Sequence, residues 1–488
     1  MKLAVPRSYD LVVVGSGFAS AFFLKKYLEK ASPGVRVLLL ERGTFYKHSD
    51  RLKDTTAKGS DSTDPPWLKA GRFVVNENRD KDWIFEPNFG GGSNCWTGCT
   101  PRFLPSDFQL KTLYGQGVDW PIGYDELSPY YDEAESLMAI SGPEVTPFRK
   151  SSAYPLPSHA LSTVDLKKKK KYGPLYISQP SARASIATPS RNACCTSSVC
   201  QLCPVDAKFT IENGFRELFR DPRVEIEYNA QVFALKTSGD RAQQVVYRKE
   251  GKDAEVAGET IALGCNAIFN AHILLNSGDD NPHTGAGLSE QVGKYVWVYL
   301  TDLDNVGGSS VITANGYMMY DGPHRRDRAA CLIENHNLPF VRTETGKWRK
   351  LAKFKFVYED IPNAANRVER SNDVLKPVLK YSGFSEYVQR SLDRLPDDIK
   401  TFFSVLPIEK VAIDGHVQRS EAHILGTTRM GKTAAEGVVD VNMLHHKYRN
   451  VFVLGGGAFP TITPSNPTLT LSALSLMAAD KNFGSSVK

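Results

Sequence analysis

The stretch Tyr9-Asp-Leu-Val-Val-Val-Gly15-Ser-Gly17-Phe-Ala-Ser20 limits what this chain can fold into more than any other. Leu11 to Val14 form an apolar, β-branched run that suits a strand buried on both faces. Gly15 and Gly17 follow at once, and a helical pattern continues through Leu28. Val35 to Leu40 predicts a second strand that ends at Glu41-Arg-Gly43. In such a unit Gly15 makes the tight turn, Gly17 lets the backbone approach a pyrophosphate, and the helix N-terminus receives its charge. Glu41 is placed to accept hydrogen bonds from a ribose diol. Ser20 stands where a third glycine is usual, and its small side chain still permits close packing of helix on strand. These residues predict dinucleotide binding and leave FAD and NAD equally open.

A chain of 488 residues is long enough for two joined lobes with a sizeable core. Hydrophobic residues make up 41% and charged residues 23%, the balance of a soluble globular protein. The net charge of +6 is spread along the chain. Its one dense run, Lys167 to Lys171, reads as a solvated loop. Nucleic-acid binding is not indicated, because basic residues are not interleaved with aromatics. No stretch reaches the roughly 18 apolar residues of a membrane span. Met1 to Pro6 is too short for a signal peptide, which leaves cytoplasm and periplasm, the latter by export with a partner, both open.

Three further stretches carry chemistry. Asn88-Phe-Gly-Gly-Gly-Ser-Asn-Cys-Trp-Thr-Gly-Cys99 offers exposed amides for phosphate or ring heteroatoms, with Trp96 and Phe103 suited to pack against something flat. The plain alternative is a surface loop. Near the C-terminus, His423-Ile-Leu-Gly-Thr427 precedes Val451-Phe-Val-Leu-Gly-Gly-Gly457, Asn466-Pro-Thr468 and a small-residue helix through Asp480. Of the ten histidines, most should be surface or satisfied core residues. Cys194, Cys195, Cys200 and Cys203 lie within ten residues, whereas Cys95, Cys99, Cys265 and Cys331 are scattered. That is a poor disulfide framework and a better local metal site. An iron–sulfur cluster suits the spacing; zinc and a buried structural pair are the alternatives.

Taken together, the motifs resemble the glucose–methanol–choline (GMC) flavoprotein oxidoreductases across nearly the whole chain. The cysteine-rich segment resembles that of the iron–sulfur-containing catalytic subunits of FAD-dependent glucose dehydrogenase and glucoside 3-dehydrogenase. The resemblance implies an α/β fold: a Rossmann-type FAD-binding domain with an interleaved antiparallel-sheet substrate domain. It implies FAD held by Gly15, Gly17, Ser20, Glu41, Gly91, Gly92, Ser93, Asn94, Cys95, Gly456, Ala458 and Thr468. Cys95 takes the place where some sugar-oxidising members carry a flavin-linked histidine. Attachment through imidazole is therefore excluded there, and non-covalent FAD is expected over a thioether link. A three-iron cluster (3Fe-4S) is implied on Cys194, Cys195 and Cys200, with Cys203 as a fourth candidate at altered spacing.

The implied reaction is oxidation of a secondary or anomeric hydroxyl of a sugar or glycoside to a carbonyl. His423 takes the hydroxyl proton, Asn466 fixes the substrate oxygen, and hydride passes to flavin N5. A cluster gives electrons an exit other than oxygen, towards a cytochrome c-type acceptor and with a small accessory subunit, which favours a dehydrogenase. Two other classes remain: a GMC-type oxidase using oxygen, with structural cysteines, and a non-enzymatic flavin-binding partner with His423 occluded. The expected organisation is FAD-binding over 1–140 (flavin-contacting loop 88–103), a cysteine-rich insertion over 141–211 and an FAD-binding return over 212–294. The substrate domain spans 295–420, and the C-terminal FAD-binding and catalytic segment 421–488. Residues 44–80 and about 142–190 read as loops.

Overall fold

The apolar run Leu11–Val14 sits at the centre of a seven-stranded sheet and is buried from end to end. The structure is a computed structural model that describes residues 7–57, 70–309, 311–337 and 340–483. In the first sheet Ser8–Val14 pairs in parallel with Val37–Leu40 on one side and Lys252–Leu263 on the other. Val224–Glu227 extends it in parallel beyond Val37–Leu40, and Val451–Val453 pairs in parallel with the end of Lys252–Leu263. Arg241–Lys249 and Gln231–Ser238 add an antiparallel edge. Helices Phe18–Lys30 and Thr468–Phe483 pack beside this sheet, with the Phe23 ring against those of Phe452 and Phe483. The second helix can be buried along most of its length because Ala473, Ser475, Ala478 and Ala479 are small.

The second lobe is a six-stranded antiparallel sheet. Its order is Ile408–Ile413, Val292–Leu300, Leu351–Tyr358, Cys331–His336, Ile312–Met319 and Tyr176–Ser178. One face carries Val296, Ile333, Phe354 and Phe356, which form a core with helix Glu386–Phe403. That helix presents Val388, Ser391, Leu395, Ile399 and Phe402 at the three-to-four spacing of one buried stripe. Alternation then sends Asn315, Glu334, Lys355 and Tyr295 to the opposite face, where register places them side by side across four strands.

Several sequence expectations need correction. Lys167–Lys171 is not a solvated loop: it lies in helix Thr163–Tyr172, capped by Ser162, whose Oγ accepts from the Asp165 amide. Lys168 is fully buried, with its ammonium 3.4 Å from the centre of the Phe402 ring. The long side chain crosses the helix to reach apolar rings, which composition alone does not reveal. Residues 44–80 hold helix His48–Ala57 and a short strand, Val75–Asn76, while 58–69 lie outside the described residues. The stretch 142–190 holds the Thr163–Tyr172 helix and strand Tyr176–Ser178. The latter completes the second sheet from well outside 295–420.

Candidate active site

Where the first strand ends, Gly15 takes a φ of +86°, and a Cβ there would stand 3.0 Å from the Gly264 carbonyl oxygen. A side chain would therefore be strained twice, by conformation and by contact. Around Gly17 there is open space, since a Cβ would meet nothing within 4 Å. Gly15, Gly17 and Glu41 all line a cavity of about 740 Å³. Glu41 is buried; it accepts from the Ser16 amide and hydroxyl and, at 2.9 Å, from the Gly43 amide. Burial pushes its carboxyl up, and these donors oppose the shift. Ser16 also accepts from the Gly90 amide at 2.9 Å and so joins the turn to the 88–103 loop. Ser20 faces the other way: its hydroxyl donates to the Gly264 carbonyl at 3.3 Å, and a Cβ on Gly264 would collide with it. Its placement is that of a packing residue between helix and strand.

Gly91, Gly92, Cys95, Trp96 and Thr97 bring the second stretch to the same cavity. Gly91 lies against Gly17, where a Cβ would reach the Gly17 Cα at 3.4 Å. The Trp96 ring meets Phe18 edge-on at 4.7 Å, and its Nε1 donates to the Phe209 carbonyl. Ser93 and Asn94 do not line the cavity. Ser93 Oγ donates to the Gly90 carbonyl and accepts from the Ile211 amide, and Asn94 Nδ2 donates to the Phe89 carbonyl. Both hold the loop's shape. Burial pushes the Cys95 thiol up to about 11, which keeps it protonated and a poor nucleophile at neutral pH. Arg42, unremarked in the sequence, lines the cavity with its guanidinium 3.6 Å from the centre of the Phe269 ring.

His423 and Asn466 converge on this cavity although 42 residues separate them. Gly456 and Thr468 line it too, whereas Ala458 sits behind, its carbonyl accepting from the Met430 amide. Gln291, buried and not singled out by the sequence, joins the two loops. Its Nε2 donates to the Thr463 carbonyl at 2.9 Å and the Ser465 carbonyl at 3.0 Å. Two carbonyls can only accept, so the amide oxygen must face His423 Nδ1, 3.0 Å away. Nδ1 therefore carries the proton, and Nε2 keeps a free lone pair. Burial pushes the imidazole down to about 4, with Glu334 opposing and Lys355 reinforcing the shift. The ring is thus neutral over the physiological range. Asn466 Oδ1 is buried without a partner among the described residues, an unmet acceptor in a cavity.

Glu421, two residues before His423, also lines the cavity. Its carboxylate binds the Lys355 ammonium, and Lys355 stands beside Glu334 in the cross-strand row. Beneath the Asn466 loop, Tyr320 donates its one hydroxyl proton to Asp107 at 2.7 Å, and its oxygen accepts from Ser465 Oγ at 2.9 Å. Arg325 pairs with both Asp107 and Glu359, and all three side chains are buried.

The cysteine segment does not assemble as expected. Among the described residues no group of three His, Cys, Asp or Glu side chains comes together to hold a metal ion. Cys195 is exposed, Cys194 half-buried, and Cys200 and Cys203 buried. Cys194 Sγ donates to the Ser309 carbonyl, and Cys203 Sγ accepts from the Ala207 amide. These bonds engage Cys194 and Cys203 with backbone partners, and Cys195 turns outward although it adjoins Cys194. The set Cys194, Cys195 and Cys200 thus does not fit a three-iron cluster as placed. Arg183 and Lys208 are buried against the segment, the former 3.3 Å from Cys200 Sγ, and neither forms an ion pair among the described residues.

A glycine turn, a buried acid at the end of the second strand, and an imidazole and an amide side chain thus meet in one cavity. Residues 381–475 match the GMC oxidoreductase family. The fructose dehydrogenase large subunit of Gluconobacter japonicus is 26% identical, over 97% of this chain and 97% of its own. Paromamine 6'-oxidase of Streptomyces fradiae is 26% identical, over 97% of this chain and 91% of its own. Among solved structures, pyridoxine 4-oxidase from Mesorbium loti superposes with a TM-score of 0.68 at 18% identity, covering 97% of this chain and 99% of its own. Over nearly its whole length the chain is thus similar to GMC oxidoreductases, FAD-dependent enzymes that act on CH–OH groups, and its C-terminal part matches that family directly. Among the described residues no helix is long and apolar enough to cross a membrane.

Proposed function

We propose that this enzyme oxidises a hydroxyl of a sugar or glycoside to a carbonyl, with His423 as proton acceptor and Asn466 as the group that fixes the substrate oxygen. The observation that carries the reading is the Gln291 bridge, which leaves His423 Nε2 unprotonated in the cavity that Asn466 also enters. FAD would be held by the Gly15–Gly17 turn, Glu41, the Gly91–Cys95 stretch and the Gly456 and Thr468 segments, and when bound it supplies the acceptor for the two electrons the alcohol carbon loses. His423 Nε2 takes the hydroxyl proton. Asn466 holds the oxygen from which that proton departs, which restricts the alcohol to a reactive orientation. Gln291 keeps the imidazole in one tautomer and maintains its spacing from the Asn466 loop.

Two relatives support a sugar-type substrate: one is a fructose dehydrogenase subunit and one a paromamine oxidase. That the former is a large subunit supports a partner subunit here as well. The iron–sulfur relay to a cytochrome c-type acceptor draws its support only from the cysteine spacing and from the resemblance of that segment, so no step is routed through it. Iron and sulfide counts on anaerobically purified protein test the cluster, and oxygen uptake without an added acceptor separates oxidase from dehydrogenase.

The central test is an anaerobic panel of sugars, glycosides and simple alcohols, read as loss of flavin absorbance. Sugars should bleach the wild-type flavin, and His423→Ala should retain FAD without bleaching. Failure of every sugar to bleach a fully loaded enzyme overturns the reading.

A further inference from the structure

We propose that Glu421 is the specificity residue of this cavity, accepting a hydrogen bond from a hydroxyl of a neutral polyol and turning away substrates that carry a carboxylate. The inference rests on the sugar-oxidising reading above and adds the charge class of the sugar.

Glu421 lines the cavity that His423 and Asn466 enter. Its side chain is only 8% exposed, and Lys355 engages Oε2 alone. Oε1 is buried with no hydrogen-bond partner among the described residues. A carboxylate oxygen left in that state is costly unless something donates to it. The space it occupies is made by Gly293, where a Cβ would stand 2.1 Å from Oε1. Any side chain at 293 would thus displace the carboxylate, so the glycine and the acid form one arrangement.

The charge balance sets what can donate. Lys355 is shared between Glu421 and Glu334, its neighbour in the cross-strand row. Glu290, which pairs with Lys81, adds a third carboxylate to this wall, and burial together with Glu334 and Glu290 pushes Glu421 itself up to about 7. Tyr295 and Lys353 stand in the same rows, and burial lowers both His336 and His423. Above about pH 7, where Glu421 is ionised, Glu421, Glu334 and Glu290 face the ammoniums of Lys355 and Lys81, and the wall carries an excess of carboxylate in a poorly solvated place. A hydroxyl supplies the missing donor at no charge cost. An aldonate or uronate would bring a further carboxylate and be repelled, which is discrimination by an unfavourable element rather than by added contacts.

The test compares a neutral pyranoside with its uronate counterpart in wild type, Glu421→Gln and Glu421→Leu, loaded with FAD. Glu421→Leu should raise KM for the neutral sugar about tenfold or more while kcat falls much less, because a hydrogen bond to a charged group is lost. Glu421→Gln keeps the shape and removes the charge, and should shrink the neutral-to-uronate ratio of kcat/KM by about tenfold or more. Wild-type KM and wild-type discrimination in both variants would overturn the proposal. If Glu421→Leu purifies without FAD, the isosteric Glu421→Gln decides alone. Normal sugar oxidation with an unaffected Glu421→Gln removes only the role of Glu421. A wild type that oxidises apolar alcohols and no sugar removes the underlying function with it.

Discussion

The two sheets of this molecule solve opposite problems. The first is parallel at its centre, apolar on both faces, and lines the cavity mainly with backbone: a glycine turn and an adjoining glycine loop, with one acid at a strand end. The second is antiparallel, apolar only where it covers helix Glu386–Phe403, and buries a charged row on its other face. A shared cofactor can be held by main-chain groups that tolerate many side chains nearby. A particular substrate and a particular proton need side chains whose charge and tautomer are set by their neighbours. The consequence is that single substitutions should cost function in the second region through electrostatics, and in the first through shape.

The sharpest break is His423→Ala. Loss of the positioned base should lower kcat by about 10²–10⁴-fold while FAD stays bound, since the cavity's glycine half is untouched. Steady-state rates on protein of measured FAD content check this. Next, Arg325→Met should leave Asp107 and Glu359 buried without their cation and cost about 3–5 kcal/mol of stability. Urea unfolding monitored by fluorescence reads it, and an unchanged midpoint would show that the network under the Asn466 loop carries little. Gln291→Leu should lower kcat by about tenfold or more with a smaller change in KM, because the base loses its tautomer control. An unchanged pH profile and kcat in that variant would mean the bridge does not orient His423.

Two smaller effects depend on pH. His423 is held down to about 4, and only the neutral ring accepts a proton. In wild type, kcat/KM should therefore stay level on acidification and fall only as pH approaches about 4, rather than near the usual histidine value. Lys168 is pushed down to about 6 by burial. Between that value and 10.5 the unfolded chain binds a proton that the folded protein does not, so this group makes stability rise with pH across that window. Lys168→Met should flatten the slope and raise Tm slightly at neutral pH, as read by thermal melts from pH 6 to 9. A steeper slope in the variant would contradict the burial of Lys168.

The sequence by itself determined the first region: Leu11–Val14, Gly15, Gly17 and Glu41 are local, and strand period, turn geometry and helix start lie within one short segment. It also placed His423, Asn466 and the glycines at 91, 92 and 456 on chemistry that the fold brings to one cavity. Tertiary structure decided the rest. Gln291 matters because it meets two carbonyls and an imidazole from distant loops, and nothing in Leu-Ser-Glu-Gln-Val announces that. Strand register sets Glu334 beside Lys355 across a sheet, and Glu421 reaches the same lysine from a loop that no local pattern ties to it. The cysteines show the converse: spacing suggested a ligand set, but side-chain direction, which spacing does not encode, turns Cys195 to solvent and Cys200 inward. Local pattern specifies backbone, because hydrogen bonding and steric limits act between near neighbours. Charge, tautomer and ligand geometry depend on groups far apart in the chain, and only the folded arrangement brings them together.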